Sequence, residues 1–373
     1  MLPSGAVSAV TVAGYGCGMT LERRSLADAD PDALRDEVVA TLQRGELCVL
    51  PTETVYGVAA LPSCAPAAAR VQQWRGRDSS LPLTRHLADP AGVDALGLRL
   101  HEGATRLAAR YWPGPLTLVL PREDGGDPVG ARVPAHDFTR AVIRACSEPL
   151  LLTPVAPAGE AQLTEPGAVA DACRGDAALM VDDGPSPIGA ASTIVHAAGG
   201  ELQVLREGIL SRTEVLETAA DLVLFVCTGN TCRSPLAERF ARQMTATAMG
   251  VDEDRVLARG LRFASAGTAT MAGMRASDGS LEAGSEVGLD LSDHASQPLS
   301  PDLWSRAAKI YCLSEGHRRA LLAEAPLPED CVLLLRPDGG DIADPFGGDL
   351  DVYREARDEI ATAVRARMGD WWP

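Results

Sequence analysis

The run Cys227-Thr-Gly-Asn-Thr-Cys-Arg-Ser-Pro235 gathers two thiols, a guanidinium and three hydroxyls into nine residues. Gly229 and Asn230 suit a tight loop, and Pro235 suits the first turn of a helix. Such a loop turns successive backbone N–H groups inward and sets a helix N-terminus behind them, which makes a site for a dianion. The same field favours a thiolate, so Cys227 reads as a nucleophile at neutral pH. Arg233 can make two parallel bonds to phosphate oxygens as charge builds in transfer. Ser234 can donate to the thiolate and help it leave. Thr228, Gly229, Asn230, Thr231 and Cys232 would form the rest of the cradle. The plain alternative is a core cysteine at the end of a strand.

The flanking elements support the loop. DLVLFV (221–226) reads as an apolar strand and LAERFARQM (236–244) as the helix behind it. LCVLP (47–51), LTLVL (116–120) and KIYCL (309–313) read as further strands. Residues 31–44 predict a helix capped by Asp30 and stopped at Gly45. Strand and helix alternate almost throughout, which predicts α/β layers. The expected division is an N-terminal extension over 1–21, a first domain over 22–210, a linker over 211–220 and a second domain over 221–373.

At 373 residues the chain is long enough for two domains, and it carries 46% hydrophobic and 23% charged residues. That balance excludes a disordered chain, and the lack of a long apolar run excludes a membrane span. The net charge of −17 is shared evenly on either side of residue 210. Neither half has the basic excess of a general nucleic-acid binder, so nucleic acid is an unexpected partner. Nine scattered cysteines form neither a disulfide framework nor paired zinc spacing, so no metal is expected. The first twenty residues lack a basic start and a strong apolar centre, so no signal peptide is expected and the cytoplasm is the predicted compartment. Lys309 is the one lysine among 34 basic residues, a bias that discounts single Lys-to-Arg differences.

With these residues in view, the C-terminal part resembles the low-molecular-weight protein-tyrosine phosphatase family, whose loop reads C-x-G-N-x-C-R-S-P. FASAGT (263–268), GLDLSDHASQPLS (288–300), AAKIYCLSEGHRRAL (307–321) and DIADPFGGDLDVYREARDEI (341–360) follow in that family's order. The resemblance implies a parallel, flavodoxin-like sheet and a two-step reaction without a cofactor on a phosphorylated protein. Cys227 would attack phosphorus while Arg233 holds the oxygens. Asp344 of the Asp-Pro-Phe346 loop would protonate the leaving group, with Phe346 beside the substrate. CTGNTCRSP with DPFGG resembles the protein-arginine phosphatase branch, in which Thr231 favours a phosphoguanidinium; phosphotyrosine is the alternative. Cys232 either traps Cys227 as a reversible disulfide or is a small residue shaping the turn. Arsenate reductase is a rival activity, opposed by the distance in sequence between Cys312 and Cys331 and by the retained Asp344. His294 and His317 read as structural or surface residues rather than bases.

The N-terminal part carries PTETVYG (51–57), where Thr52, Glu53, Thr54 and Tyr56 could line a small-molecule site. WRGRDSSLPLTRH (74–86), YWPGPLTLVL (111–120), Arg132-Val-Pro134, ASTIV (191–195) and LREGIL (205–210) follow. This series resembles the threonylcarbamoyl-AMP synthase (YrdC-like) family, which implies a twisted α/β sheet. It also implies a reaction of threonine, bicarbonate and ATP with Mg2+ that serves tRNA modification. By that resemblance Thr54, His86, Arg132 and Thr193 would hold threonine and its carboxylate, Arg77 and Arg206 the ATP phosphates, and Thr52, Arg75 and Ser192 would belong to the same threonine- and ATP-binding site. The departures lie on the nucleotide side. Leu81 replaces the family's Asn, and Pro154-Val-Ala-Pro-Ala-Gly159 replaces a segment that carries Ser and Asn ligands. Their loss predicts a weakened ATP site, and the competing expectation is an inactive ligand-binding or regulatory module.

Overall fold

A computed structural model of the chain describes residues 20–75, 83–157, 159–198 and 202–372, without the Arg75 side chain. It divides into two compact units, one ending at Val215 and the other starting at Leu216.

The first unit is built on strands β1 (Glu22–Ser25), β2 (Cys48–Leu50), β3 (Gly57–Ala60), β4 (Thr84–His86), β5 (Leu116–Leu120), β6 (Val129–Arg132), β7 (Leu150–Pro154), β8 (Leu179–Asp182), β9 (Thr193–His196) and β10 (Gln203–Arg206). They form one mixed sheet in the order β1-β8-β2-β3-β7-β4-β6-β5-β9-β10. Strands β2, β3 and β5 are buried along their whole length, which is why they read as unbroken apolar runs rather than alternating ones. The expected strand at 47–51 is β2. The polar stretch after it turns the chain back, so β3 lies antiparallel to β2 with Cys48 opposite Ala59. Gly57 is required there: a Cβ on it would fall 1.9 Å from Leu152 Cδ2 on the neighbouring β7. The helix expected over 31–44 runs Pro31–Gln43, with Asp30 accepting from the Asp32 and Ala33 amides. Its Leu34, Val38 and Leu42 pack on Val142 and Ile143 in one core cluster. A second cluster gathers Tyr56, Val71 and Met180.

Residues 211–220, expected as a linker, carry a helix, Arg212–Ala219. Val215, Leu216 and Ala219 are buried along it, and the Ser211 hydroxyl accepts from the Glu214 amide. An apolar stripe and a cap make the expected linker helical.

The second unit has strands β11 (Asp221–Cys227), β12 (Leu261–Gly267), β13 (Ala307–Cys312) and β14 (Val332–Leu334), all parallel, in the order β12-β11-β13-β14. Strand β11 thus sits inside the sheet, with the next strand in sequence on one side and the one after that on the other. The crevice at its carboxyl end is where open α/β sheets take ligands. Alternation along β11 sends Val223, Phe225 and Cys227 to one core cluster and Leu222, Leu224 and Val226 to another. Trp371 closes the first of these, edge-on to Phe225, Phe263 and Tyr311.

Candidate functional site

Cys227 is the last residue of β11 and is 2% exposed. Its Sγ lies 3.0 Å from Ser234 Oγ and accepts the Asn230 amide at 3.3 Å. Asn230 has φ 51°, a left-handed conformation that a short polar side chain tolerates better than a branched one. Its side-chain amide donates to Ser234 Oγ and to Ser265 Oγ, both at 2.9 Å, and its Oδ1 accepts from the Gln297 amide at 2.8 Å. Ser265 in turn donates to Glu238 at 2.7 Å. These bonds have one consistent direction, because a carboxylate only accepts. The Ser265 proton goes to Glu238, both Asn230 amide protons go to the two serines, and the Ser234 proton is left for Cys227 Sγ. The network therefore delivers a hydrogen-bond donor to the sulfur.

Arg233 opens the helix Arg233–Met249 and is buried. Its Nη1 donates to the Ile342 carbonyl at 3.0 Å and its Nη2 to Asp344 Oδ2 at 2.5 Å. Its Nε is buried without a partner. Cys227, Thr228, Thr231, Arg233 and Asp344 line one pocket of about 590 Å³. An orphaned guanidinium N–H, a helix N-terminus and a thiol in one pocket suit a phosphoryl group. Met271, Met274 and Phe346 form an apolar rim, and Phe346 is 78% exposed. Gly267, at the end of β12, lets the loop sit this close, since a Cβ there would fall 2.6 Å from the Thr228 carbonyl. Cys232 packs with Ala283 and Tyr353, its Sγ 3.9 Å from the Tyr353 hydroxyl.

In the first unit, Thr52, Thr54, His86, Arg132, Ser192 and Arg206 share a small pocket with Thr117. Arg132 is buried and donates to the Gly114 carbonyl, to Thr54 Oγ1 at 2.9 Å and to Glu53 Oε1 at 2.5 Å. Burial, with the Arg132 cation nearby, pushes the His86 imidazole down to about 3, so it is neutral. Its Nδ1 is buried with no partner. Ser192 Oγ lies 2.9 Å from Thr117 Oγ1, and Arg206 donates to the Ser192 carbonyl at 2.8 Å.

Thr193 is a correction. Its hydroxyl donates to the Leu210 carbonyl and accepts from the Gly208 and Leu210 amides, so it pins the 208–210 turn. Strand alternation explains this: Ser192 and Ile194 face the pocket, and the residue between them faces away. Tyr56 likewise points elsewhere, its hydroxyl donating to the Gly184 carbonyl. Arg75 ends the helix Ala65–Arg75; Arg77 and Leu81 lie outside the described residues. In the Pro154–Gly159 segment, Val155 and Ala156 are buried.

Residues 40–208 match the family model described as telomere recombination (Sua5, YciO and YrdC), and residues 222–369 match that of low molecular weight phosphotyrosine protein phosphatases. A protein-arginine-phosphatase of Geobacillus stearothermophilus is 34% identical over 146 residues, 38% of this chain and 90% of that protein. A Mycobacterium leprae relative named for threonylcarbamoyl-AMP synthase is 32% identical over 205 residues, 51% of this chain and 90% of its own length. The chain belongs to both families. The threonylcarbamoyl-AMP synthase of Pyrococcus abyssi is 31% identical over 189 residues, 48% of this chain. The chain spans little more than half of that protein's length, 56%.

The phosphatase unit also uses residues to which sequence reading gave no part in the site. His294 Nε2 lies 2.7 Å from the Asn230 carbonyl, and His317 Nε2 lies 2.9 Å from Thr228 Oγ1. Both histidines are structural, as expected, but what they support is the loop itself. Ser265, Gln297 and Glu238 complete the hold on Asn230. The available signal was position: Ser265 stands in FASAGT, His294 and Gln297 in GLDLSDHASQPLS. In the synthase-like unit Glu53 of PTETVYG, expected to line a small-molecule site, anchors Arg132 and accepts the Ala135 amide.

Proposed function

We propose that the phosphatase unit hydrolyses phosphoarginine in proteins through a phosphocysteine intermediate. The observation that carries this reading is the buried Cys227 sulfur, held by Ser234 and Asn230 in the same pocket as the orphaned Arg233 Nε. The Cys227 thiolate attacks phosphorus, and the P–N bond breaks as Asp344 passes its proton to the departing guanidine nitrogen. Arg233 and the loop amides hold the three phosphoryl oxygens as charge develops. Water then attacks the phosphocysteine, Asp344 takes its proton, and the Cys227 thiolate leaves against the Ser234 hydroxyl. A positioned acid of this kind contributes about 10²–10⁴-fold. Thr231, a pocket-lining hydroxyl, supports phosphoarginine over phosphotyrosine, as does the similarity to a protein-arginine-phosphatase. Parallel assays of phosphoarginine and phosphotyrosine hydrolysis test this. Wild type is expected to prefer phosphoarginine and Cys227→Ser to lose both activities; persistent turnover by Cys227→Ser would sink the mechanism.

For the synthase-like unit, we propose that it takes threonine, bicarbonate and ATP to threonylcarbamoyl-AMP for tRNA modification. Arg132 with the Thr54 hydroxyl suits a carboxylate, and the unpartnered His86 Nδ1 suits a ligand N–H or O–H. The fit is poorer on the ATP side, where Val155 and Ala156 turn into the core. Among the described residues no cluster of His, Cys, Asp and Glu is placed to hold a metal, so Mg2+ would arrive with the nucleotide. Pyrophosphate release that needs both threonine and bicarbonate is the expected result. A folded unit that releases none is a binding module instead. No helix among the described residues is long and apolar enough to cross a membrane, and we place both activities in the cytoplasm.

A further inference from the structure

His317 stands in the first turn of the helix Glu315–Glu324 and is buried. Its two ring nitrogens are both engaged. Nδ1 lies 2.9 Å from Ser314 Oγ, and Nε2 lies 2.9 Å from Thr228 Oγ1. Ser314 Oγ already accepts the His317 amide as the helix cap, so its own proton is free to go to Nδ1. The imidazole is then the tautomer protonated at Nε2, and it donates to Thr228. Of the charged groups around it, Arg233 comes from the loop helix and Asp341 and Asp344 from the acid loop. Burial and Arg233 outweigh the two carboxylates and keep the ring neutral.

Thr228 directly follows Cys227, is exposed, and lines the pocket beside Thr231 and the acid loop. A free threonine at such a position would rotate between staggered rotamers. Here the donated imidazole N–H pins the hydroxyl and takes one of its two lone pairs. The other lone pair remains to accept a hydrogen bond. A phosphoguanidinium carries N–H groups next to the scissile P–N bond, whereas an aryl phosphate ester carries none beside its bridging oxygen.

We propose that His317 is a positioning residue for substrate selection: acting through Thr228, it holds at the pocket mouth a hydroxyl that accepts an N–H from a phosphoguanidinium side chain. This deepens the phosphoarginine reading and rests on it. Selectivity by a group that must pair with a substrate N–H is steep, because an analogue without the N–H leaves the site's polar atom unpaired.

The test uses the full chain and compares kcat/KM on phosphoarginine with kcat/KM on phosphotyrosine. Thr228→Val is expected to lower that ratio about 10-fold. His317→Leu is expected to lower it similarly, and the double variant no further than Thr228→Val alone, since both changes remove one contact. His317→Gln, which keeps an N–H donor, is expected to restore most of the ratio. An unmoved ratio in Thr228→Val, or losses that multiply in the double variant, would overturn the proposal. If His317→Leu does not fold, Ser314→Ala takes its place: removing the group that sets the tautomer is expected to lower the ratio about 3-fold, and no change there overturns it equally. A wild type active on phosphotyrosine and inactive on phosphoarginine overturns the substrate reading together with this inference. A wild type that prefers phosphoarginine, with a ratio insensitive to Thr228, overturns this inference alone.

Discussion

Thr231 and His317 are single side chains whose replacement separates chemistry from packing. Thr231 lines the pocket with a hydroxyl, which can polarise water or pair with a planar guanidinium, whereas isoleucine would crowd it. Thr231→Ile is therefore expected to move preference towards phosphotyrosine about 10-fold, read as the ratio of kcat/KM on the two substrates; an unchanged ratio would remove this residue from the selectivity argument. His317 also sets an acid limit on stability. Burial and the Arg233 cation push its imidazole from the ordinary 6.5 down to about 4. Between those values the unfolded chain binds the proton and the folded chain does not, so stability falls as pH drops from about 6.5 to about 4. The loss is on the order of 3 kcal/mol. His86, pushed down to about 3, acts with the same sign in the first unit. Denaturant unfolding of the phosphatase unit followed from pH 7 to pH 4 is expected to flatten in His317→Gln.

At the level of elements, the phosphatase site is the place where three parallel strands end together. Cys227 pairs with Gly267 across β11 and β12, and Val226 pairs with Cys312 across β11 and β13. Bonds from the Thr268 and Ala269 amides to the Cys227 and Thr228 carbonyls tie the loop to the end of β12. Gly267→Ala would drive a Cβ against the Thr228 carbonyl. A backbone atom cannot swing aside as a side-chain end can, so the loop must shift. Because displacements of about 1 Å at a reacting centre cost about 10²-fold, kcat is expected to fall by that order while the unit still unfolds cooperatively; wild-type kcat would show that the loop has slack. Strand and helix positions were largely legible in the sequence, because apolar runs and caps such as Asp30 are local signals. The helix within 211–220 was not legible, because its stripe, Val215, Leu216 and Ala219, is too short to stand out by pattern alone.

At the scale of the whole molecule, the four core clusters described above each draw their residues, among the described residues, from one unit alone. Damage to one core is therefore expected to leave the other standing. Trp371 packs on three aromatic rings and donates to Thr245 Oγ1, but it is only partly buried. Trp371→Ala is expected to cost about 2–3 kcal/mol, below the cost of a fully buried tryptophan. The signature is a denaturant midpoint that drops for phosphatase activity and for one unfolding transition, while a second transition stays in place. A single transition that shifts as a whole would mean the two cores unfold as one.

From the sequence alone came the loop Cys227–Pro235, the strand before it, the helix after it and the two families. All of these are contiguous signals, in which neighbouring residues specify backbone conformation and the chemistry at once. Only the tertiary structure decided which distant side chains meet that loop. Arg233 reaches Asp344 across 111 positions, and Asn230 is gripped from Ser265, His294 and Gln297. Thr193 turned out to serve a turn rather than a ligand. These outcomes depend on strand register and side-chain direction, where a one-residue step changes the face a side chain presents, and neither is written in the spacing of the residues concerned.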